Sequence, residues 1–357
     1  MHWIDPPRAP FPETDASAER AAVGRPASRR PRARVVALAA LAVVVLLAGV
    51  GFLVVDRLGD NVDRLPDVFA PLDPAARPAD EPGLTFLLMG TDSRAALPTT
   101  GSAAGADEGS ARSDVVMLAR LAPDASSAAV VSIPRDSWVD IPGRGPAKIN
   151  AAYAYGGPSL LVRTAEQLTG IRVDHFAVVD FAGFQAMVDA VGGIDVQVAA
   201  PTSNYGVDFH AGMNHLDGAE ALAYVRQRYD LPEGDLDRAR RQQNALRALL
   251  TKVASAGTLA DPVALYGFLD AATHSVGVDD SMTNGRLREL ALDARGLRPA
   301  GVTFLSAPVR GLGREGDQSV VYLDGPGGAL LWAAVRSGTV AEYVAANPAA
   351  ELGEEPS

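Results

Sequence analysis

The 357-residue chain contains no cysteine, which excludes disulfide frameworks, thiolate nucleophiles and cysteine zinc sites. Lysine is nearly absent, with Lys148 and Lys252 standing beside 30 arginines. The histidines are few and scattered (His2, His175, His210, His215 and His274), and none forms an H-E-x-x-H pair. Also missing are G-x-x-x-x-G-K-[ST] and G-x-S-x-G, which removes the usual phosphate loop and the serine-hydrolase elbow. Positive charge is in deficit overall, at a net charge of −11. That balance argues against a general nucleic-acid binder, which needs a basic face to displace counterions. Hydrophobic content of 48% and charge of 21% describe a chain that folds. Codon bias in a GC-rich genome accounts for much of the arginine excess, since Ala and Gly are abundant too. Arginine is also the side chain suited to gripping phosphate with two parallel bonds, so its placement decides what it means.

One long apolar run is present. Residues 35–55 read VVALAALAVVVLLAGVGFLVV without a charge, and at ~1.5 Å per residue they span roughly 31 Å, about one hydrocarbon core. Before this run lie seven Arg against four acids in residues 1–34, and after it come Asp56, Asp60, Asp63 and Asp67. The positive-inside rule puts the N-terminus in the cytoplasm and the rest outside, on a single-pass anchor in the cell membrane. A cleaved signal peptide is the competing reading, but its apolar region is shorter, at about 7–15 residues. The composition predicts a disordered cytoplasmic tail over 1–34 and a transmembrane helix over 35–55. It also predicts a Pro-rich stalk over 56–82, an extracytoplasmic domain over 83–340 and a C-terminal tail over 341–357.

Within the domain, apolar runs predict strands at 84–89, 114–121, 128–133, 176–180, 194–198, 302–305 and 319–323. Helical spacing appears at 159–168, 181–191, 219–225, 236–253, 262–272, 284–294 and 329–335. Strands interleaved with helices imply α/β layering.

Three clusters carry chemistry. Gly90-Thr91-Asp92-Ser93-Arg94 follows a strand, and Arg112-Ser113-Asp114 opens the next. Two carboxylates at strand ends suit a hard cation such as Mg²⁺, although each could equally be a simple turn or strand cap. In Ser132-Ile133-Pro134-Arg135-Asp136 the proline stops the strand and leaves Arg135 at its end. Lys148-Ile149-Asn150 and the small-residue run 151–157 follow, as a ligand cover or a tight loop. The third cluster holds Arg226, Arg228, Asp235, Asp237, Arg238, Arg240 and Gln242. Arg226 and Arg228 share a face only if the chain leaves its helix extended. Gln242 falls within the apolar stripe of the next helix and Arg238 at its edge, so a buried Gln–Arg pair facing a ligand is one reading and a salt-bridged surface helix the other.

Taken in order, LLMGTDSR (87–94), RSDVVML (112–118), VVSIPRDSWVDIPG (130–143), KINAAYAYGG (148–157), the 168–198 stretch, LDGAEALAYVRQR (216–228) and GDLDRARRQQ (234–243) resemble the LytR-CpsA-Psr family of bacterial cell-envelope proteins. The resemblance implies a three-layer α/β/α ectodomain with a central mixed sheet. It implies a Mg²⁺-dependent phosphotransferase that moves a glycopolymer 1-phosphate from a polyprenyl-pyrophosphate carrier onto a peptidoglycan sugar hydroxyl. Matched motif by motif, Asp92 and Asp114 would be the Mg²⁺ ligands. Arg94, Arg112, Arg135, Arg226, Arg228, Arg238 and Gln242 would hold the pyrophosphate, and Asp235 would orient an arginine or act as base. Arabinogalactan, teichoic acid and capsule are equally compatible cargoes. A polyprenyl-pyrophosphate hydrolase and a non-catalytic lipid-binding or regulatory protein are the alternatives. Two departures stand out: the Ala/Gly/Ser-rich insertion at 95–111, and Asp237 where the family pattern has a glycine.

Overall fold

The computed structural model describes residues 56–92 and 112–353. The expected cytoplasmic tail, the 35–55 span, Arg94 and the 95–111 insertion lie outside the described residues. In chain order the first elements are β1 (Asp63–Leu65), β2 (Leu84–Asp92), β3 (Arg112–Leu121), β4 (Ala128–Ser132), β5 (Trp138–Ile141), β6 (Gly145–Lys148) and α1 (Ile149–Thr169). Then come β7 (His175–Asp180), α2 (Phe181–Ala190), β8 (Ile194–Val198), β9 (Thr202–Asn204), β10 (Val207–Phe209), β11 (Gly212–Leu216), α3 (Gly218–Arg226) and α4 (Asp235–Val253). The last part comprises α5 (Pro262–Ser275), β12 (Val276–Asp279), α6 (Asn284–Asp293), β13 (Val302–Ser306), β14 (Val309–Glu315), β15 (Gln318–Leu323), α7 (Gly325–Ser337) and α8 (Val340–Ala346).

Seven strands form one mixed sheet in the order β1-β12-β7-β2-β3-β4-β13. β2 runs parallel to β7 and antiparallel to β3, and β4 runs antiparallel to β3 and parallel to β13. Both faces of the central strands are apolar, which is why these segments read as continuous runs rather than alternating ones. Leu87, Val116, Leu118, Val131 and Phe176 pack on one side with Leu161 and Ala165 of α1 and Leu331 and Val335 of α7. On the other side Val115, Met117 and Val130 meet Leu246 of α4, and Val188, Tyr224, Val225, Ala245 and Leu249 make a second core among α2, α3 and α4. The expected three layers are therefore present, with the mixed sheet in the middle.

Three expectations need correction. Residues 56–82 are not a free stalk: β1 pairs with β12 as the sheet edge, and Val68 and Leu72 enter the main core. Pro66 ends β1 and Pro74 opens a single 3-10 turn, and neither detaches the segment. The 341–357 tail is likewise folded as far as residue 353, with Tyr343 of α8 buried in the main core and the Leu352 amide bonded to the Phe304 carbonyl at 2.9 Å. The run 151–157 is helical rather than a loop, and the helix breaks at Gly156 and Gly157, just before Pro158. The strand predicted at 319–323 is present as β15 and pairs with β14 in a separate hairpin. Among the described residues no helix is long and apolar enough to cross a membrane.

Candidate functional site

The carboxyl ends of β2, β4 and β7 and the start of β3 meet at one end of the sheet, and the candidate residues gather there. The β2–β3 ladder is out of step at this end: Gly90 pairs with Val115, but Thr91 pairs with Ser113 and Asp92 with Arg112. Asp114 is thus the extra residue of a β-bulge, the device that re-aims a side chain beside a site. Gly90 is required for it, since a Cβ there would sit 2.8 Å from Val115 Cγ2. The re-aimed Asp114 carboxylate bonds the Arg135 guanidinium.

Arg135 sits in a turn closed by the Ser137 amide on the Pro134 carbonyl at 2.9 Å. The Asn150 amide donates to the Arg135 carbonyl at 3.2 Å, the Ile149 amide to Ser137 at 2.9 Å and the Val321 amide to Asp136 at 2.9 Å. The KIN motif therefore braces the arginine turn as the first turn of α1, rather than covering a ligand. Lys148 joins the site, with its Nζ 3.1 Å from Asp136. As one of two lysines in the chain it was visible in the sequence, but its partner was not.

Asp235, at the start of α4, is the hub. Arg135 Nε donates to it at 3.1 Å and Arg238 at 2.8 Å, and Arg228 Nε lies 3.7 Å away. Burial pushes the Asp235 carboxyl up, but Arg238 and Arg135 outweigh burial and hold it below its usual 3.8. Such a carboxylate is ionised at neutral pH, and its bonds hold the Arg135 and Arg238 guanidinium groups in place. Arg238, with only 9% of its side chain exposed, is drawn down to about 10 by burial against the pull of Asp235, and stays a cation. Its Nε is buried with no partner. Arg135, Arg228 and Arg238 together with this donor form a group of cations that could hold an anion.

Chain geometry explains the other two arginines. α3 ends at Arg226, and Gln227 is extended (φ −64, ψ 130). Gln227 turns inward and accepts from Arg241 at 2.6 Å, leaving Arg226 and Arg228 on the opposite side. Arg241 is fully buried, with its guanidinium 4.7 Å from the Tyr224 ring, and sequence reasoning missed it because an arginine in an arginine-rich helix reads as solvated. Arg226 lies over the Phe181 ring at 5.1 Å. Gln242 is buried, but it bonds the Val225 carbonyl at 3.4 Å rather than Arg238. Asp237 accepts from the Glu233 amide at 2.6 Å and from Arg240 at 2.7 Å, closing the loop before α4. Arg240, paired to Glu233 and Asp237, belongs to that loop.

An apolar cavity of about 240 Å³ opens beside this cluster, lined by Leu88, Met117, Phe184, Met187, Leu246 and Val276 among others. Three of its lining residues lead directly to the charged groups. Gly90 adjoins the bulge, Phe181 carries Arg226, and Gln242 lies one helical turn beyond Arg238.

At this end of the sheet the described donors open to a divalent cation are oxygens, the Asp114 carboxylate and Thr91 Oγ1, which is buried and unpartnered, and the backbone of β2 ends at Asp92. That set fits a hard ion such as Mg²⁺. Among the described residues no group of three or more His, Asp or Glu gathers as a preformed metal cage. Arg112 is placed by its backbone opposite Asp92.

The LytR_cpsA_psr family model matches residues 70–329. The cell wall biosynthesis protein LcpA of Corynebacterium glutamicum is 38% identical over 61% of this chain and 47% of its own length. The polyisoprenyl-teichoic acid–peptidoglycan teichoic acid transferase TagU of Enterococcus faecalis is 36% identical over 59% of this chain and 65% of its own. The chain thus spans about half to two thirds of the curated relatives it matches. Crystalline B. subtilis TagV superposes with a TM-score of 0.57 at 27% identity, over 75% of this chain and 99% of that one.

Proposed function

The chain belongs to the LytR-CpsA-Psr family, and on that footing we propose that it is a transferase of the glycopolymer–peptidoglycan ligase type. Its donor is a glycan linked to a polyprenyl pyrophosphate. The observation that carries this reading is the junction of an arginine cluster with a predominantly apolar cavity through Gly90, Phe181 and Gln242. A ligand filling both has an apolar tail and a multiply charged head, which describes a lipid pyrophosphate. We place the domain outside the cell, held to the membrane by the 35–55 run. The peptidoglycan acceptor follows from the names of the relatives.

In the proposed reaction an acceptor hydroxyl oxygen attacks the sugar-bearing phosphorus. The bond from that phosphorus to the bridging oxygen breaks, polyprenyl monophosphate leaves, and the hydroxyl proton ends in solvent. Arg135, Arg228, Arg238 and Arg226 hold the phosphates and stabilise the charge gathering on the leaving group. Asp235 and Asp114 keep Arg135 aimed between them before the donor arrives. Mg²⁺ held by Asp92 and Asp114 would neutralise phosphate charge. No protein nucleophile is needed, consistent with a site built without cysteine.

The test supplies a lipid-pyrophosphate-linked glycan with and without peptidoglycan. Phosphodiester-linked glycan should form on the acceptor, and Arg135→Ala should lower the rate by about 10²–10³-fold at unchanged thermal stability of the fold. Free glycan phosphate released at the same rate without acceptor would establish a hydrolase instead. Undiminished transfer by Arg135→Ala would remove this site from the chemistry.

A further inference from the structure

Beyond the charged cluster stands an aromatic side chain that the reaction above does not use. β9 and β10 form a hairpin with Asn204 opposite Val207, so its loop is Tyr205-Gly206. Both loop residues have positive φ, 50° and 79°, the type I′ turn in which Asn or Gly normally takes the first position. Among the described residues the other non-glycine positions with positive φ are Asp67, Ala125 and Asp230, all short side chains. Tyr205 is the bulky exception, and its left-handed backbone is strained by its own Cβ. It also gains nothing from burial, being 74% exposed.

The rest of the hairpin is firmly held. Asn204 Nδ2 donates to the Ala223 carbonyl of α3 at 2.7 Å, and Thr202 Oγ1 accepts from the buried Arg241 at 3.0 Å. Phe209 meets Tyr224 edge-on at 5.5 Å between ring centroids. A rigid support therefore carries a strained, exposed aromatic ring to a fixed place. That place is beside the anion site: the Arg226 guanidinium lies 5.7 Å from the Tyr205 ring and 5.1 Å from the Phe181 ring. Phe181 is part of the cavity wall. The order across the surface is apolar cavity, guanidinium, exposed ring, and a lipid-linked glycan has the order apolar tail, phosphate, sugar.

We propose that Tyr205 is a stacking platform for the first pyranose of the donor, the sugar joined directly to the pyrophosphate. The negative face of the phenol ring attracts the slightly positive C–H face of a pyranose. Strained residues persist where the surroundings over-determine them for a function, and the anchored hairpin supplies that over-determination. Arg226, stacked between the two rings, is then the joint between the lipid-phosphate and sugar subsites. The platform rests on the donor reading above, so its test must separate the two.

The experiment measures calorimetric binding of two probes to the detergent-solubilised full chain: geranylgeranyl pyrophosphate, and the same lipid bearing N-acetylglucosamine on the pyrophosphate. The wild type should bind the sugar-bearing lipid about three- to tenfold more tightly than the bare one. Tyr205→Ala should abolish that difference and leave the bare lipid's affinity unchanged, and Tyr205→Phe should keep it. Tyr205→Asn suits the turn, so it should retain or raise Tm while losing the sugar's contribution. Equal affinities for the two probes in the wild type, or a sugar contribution surviving in Tyr205→Ala and Tyr205→Asn, would overturn the platform while leaving the donor reading intact. A lower Tm in Tyr205→Asn with unchanged binding would make Tyr205 structural. Failure of the wild type to bind either lipid would overturn the donor reading and the platform together.

Discussion

The bulge that aims Asp114 depends on a missing side chain, and restoring that side chain tests the geometry of the site. An alanine at position 90 would place its Cβ 2.8 Å from Val115 Cγ2 and 2.9 Å from Val115 Cβ. Ordinary carbon contacts lie at about 3.5–4.0 Å, so one strand must move by roughly 0.7–1.2 Å. Forcing a methyl group into packed structure costs about 1–3 kcal/mol, a fall in Tm of about 2–12 °C for a domain of this size. The movement falls on the residue next to Asp114, and Asp114 holds Arg135. Gly90→Ala should therefore lose transfer activity at temperatures where it is fully folded. Val115→Ala opens the space, so the double variant should be more stable than the sum of the singles by about 1 kcal/mol or more. Thermal denaturation of the four proteins, with transfer rates measured at 25 °C, closes the cycle. Strict additivity, or full activity in Gly90→Ala, would refute the close-approach account of the bulge.

Three further outcomes are expected. Arg241→Met keeps the volume of the buried arginine but strands Gln227 Oε1 and Thr202 Oγ1; it should cost about 1–3 kcal/mol in urea unfolding at unchanged m-value. Asp279 is fully buried; burial pushes its carboxyl up, but hydrogen bonds from His175, Ser281 and the Phe176 amide outweigh burial and hold it below 3.8. A carboxylate with a folded pKa below its unfolded one stabilises the protein above about pH 4 and loses that contribution as pH falls through the folded value. Tm should accordingly fall less steeply from pH 5 to pH 3 in Asp279→Asn than in the wild type, and equal slopes would contradict this. Phe184→Arg, which places a charge in the apolar cavity, should abolish binding of geranylgeranyl pyrophosphate without weakening that of inorganic pyrophosphate.

Much of the layered fold was legible because the central strands are apolar on both faces and the helices end at glycines: Gly170 and Gly338 adopt left-handed caps. Proline content misled at 56–82, because β1 needs three residues to complete a sheet edge and its partner β12 is distant in sequence. The short hairpins β5–β6 and β9–β10 carry too few alternating residues to stand out. At the site, residue type and order brought Arg135, Arg228, Asp235 and Arg238 to notice, and the structure shows them in one ion-pair cluster. Roles that depend on a partner were not legible. Asp237 reads as an intruding anion until its bonds to Glu233 and Arg240 are seen. Arg241 reads as solvated until its two rings are seen. Asp114 is re-aimed by a bulge that appears only when two strands are in register.

The proposed donor puts its lipid tail in the cavity beside the arginines, and mass spectrometry of lipid extracted from the purified, detergent-solubilised chain tests this directly. A polyprenyl phosphate or pyrophosphate, with or without its glycan, should be recovered from the wild type. It should be absent from a Leu246→Trp variant that fills the cavity and keeps its fold. Recovery of no such lipid from the wild type, or undiminished recovery from Leu246→Trp, would contradict it.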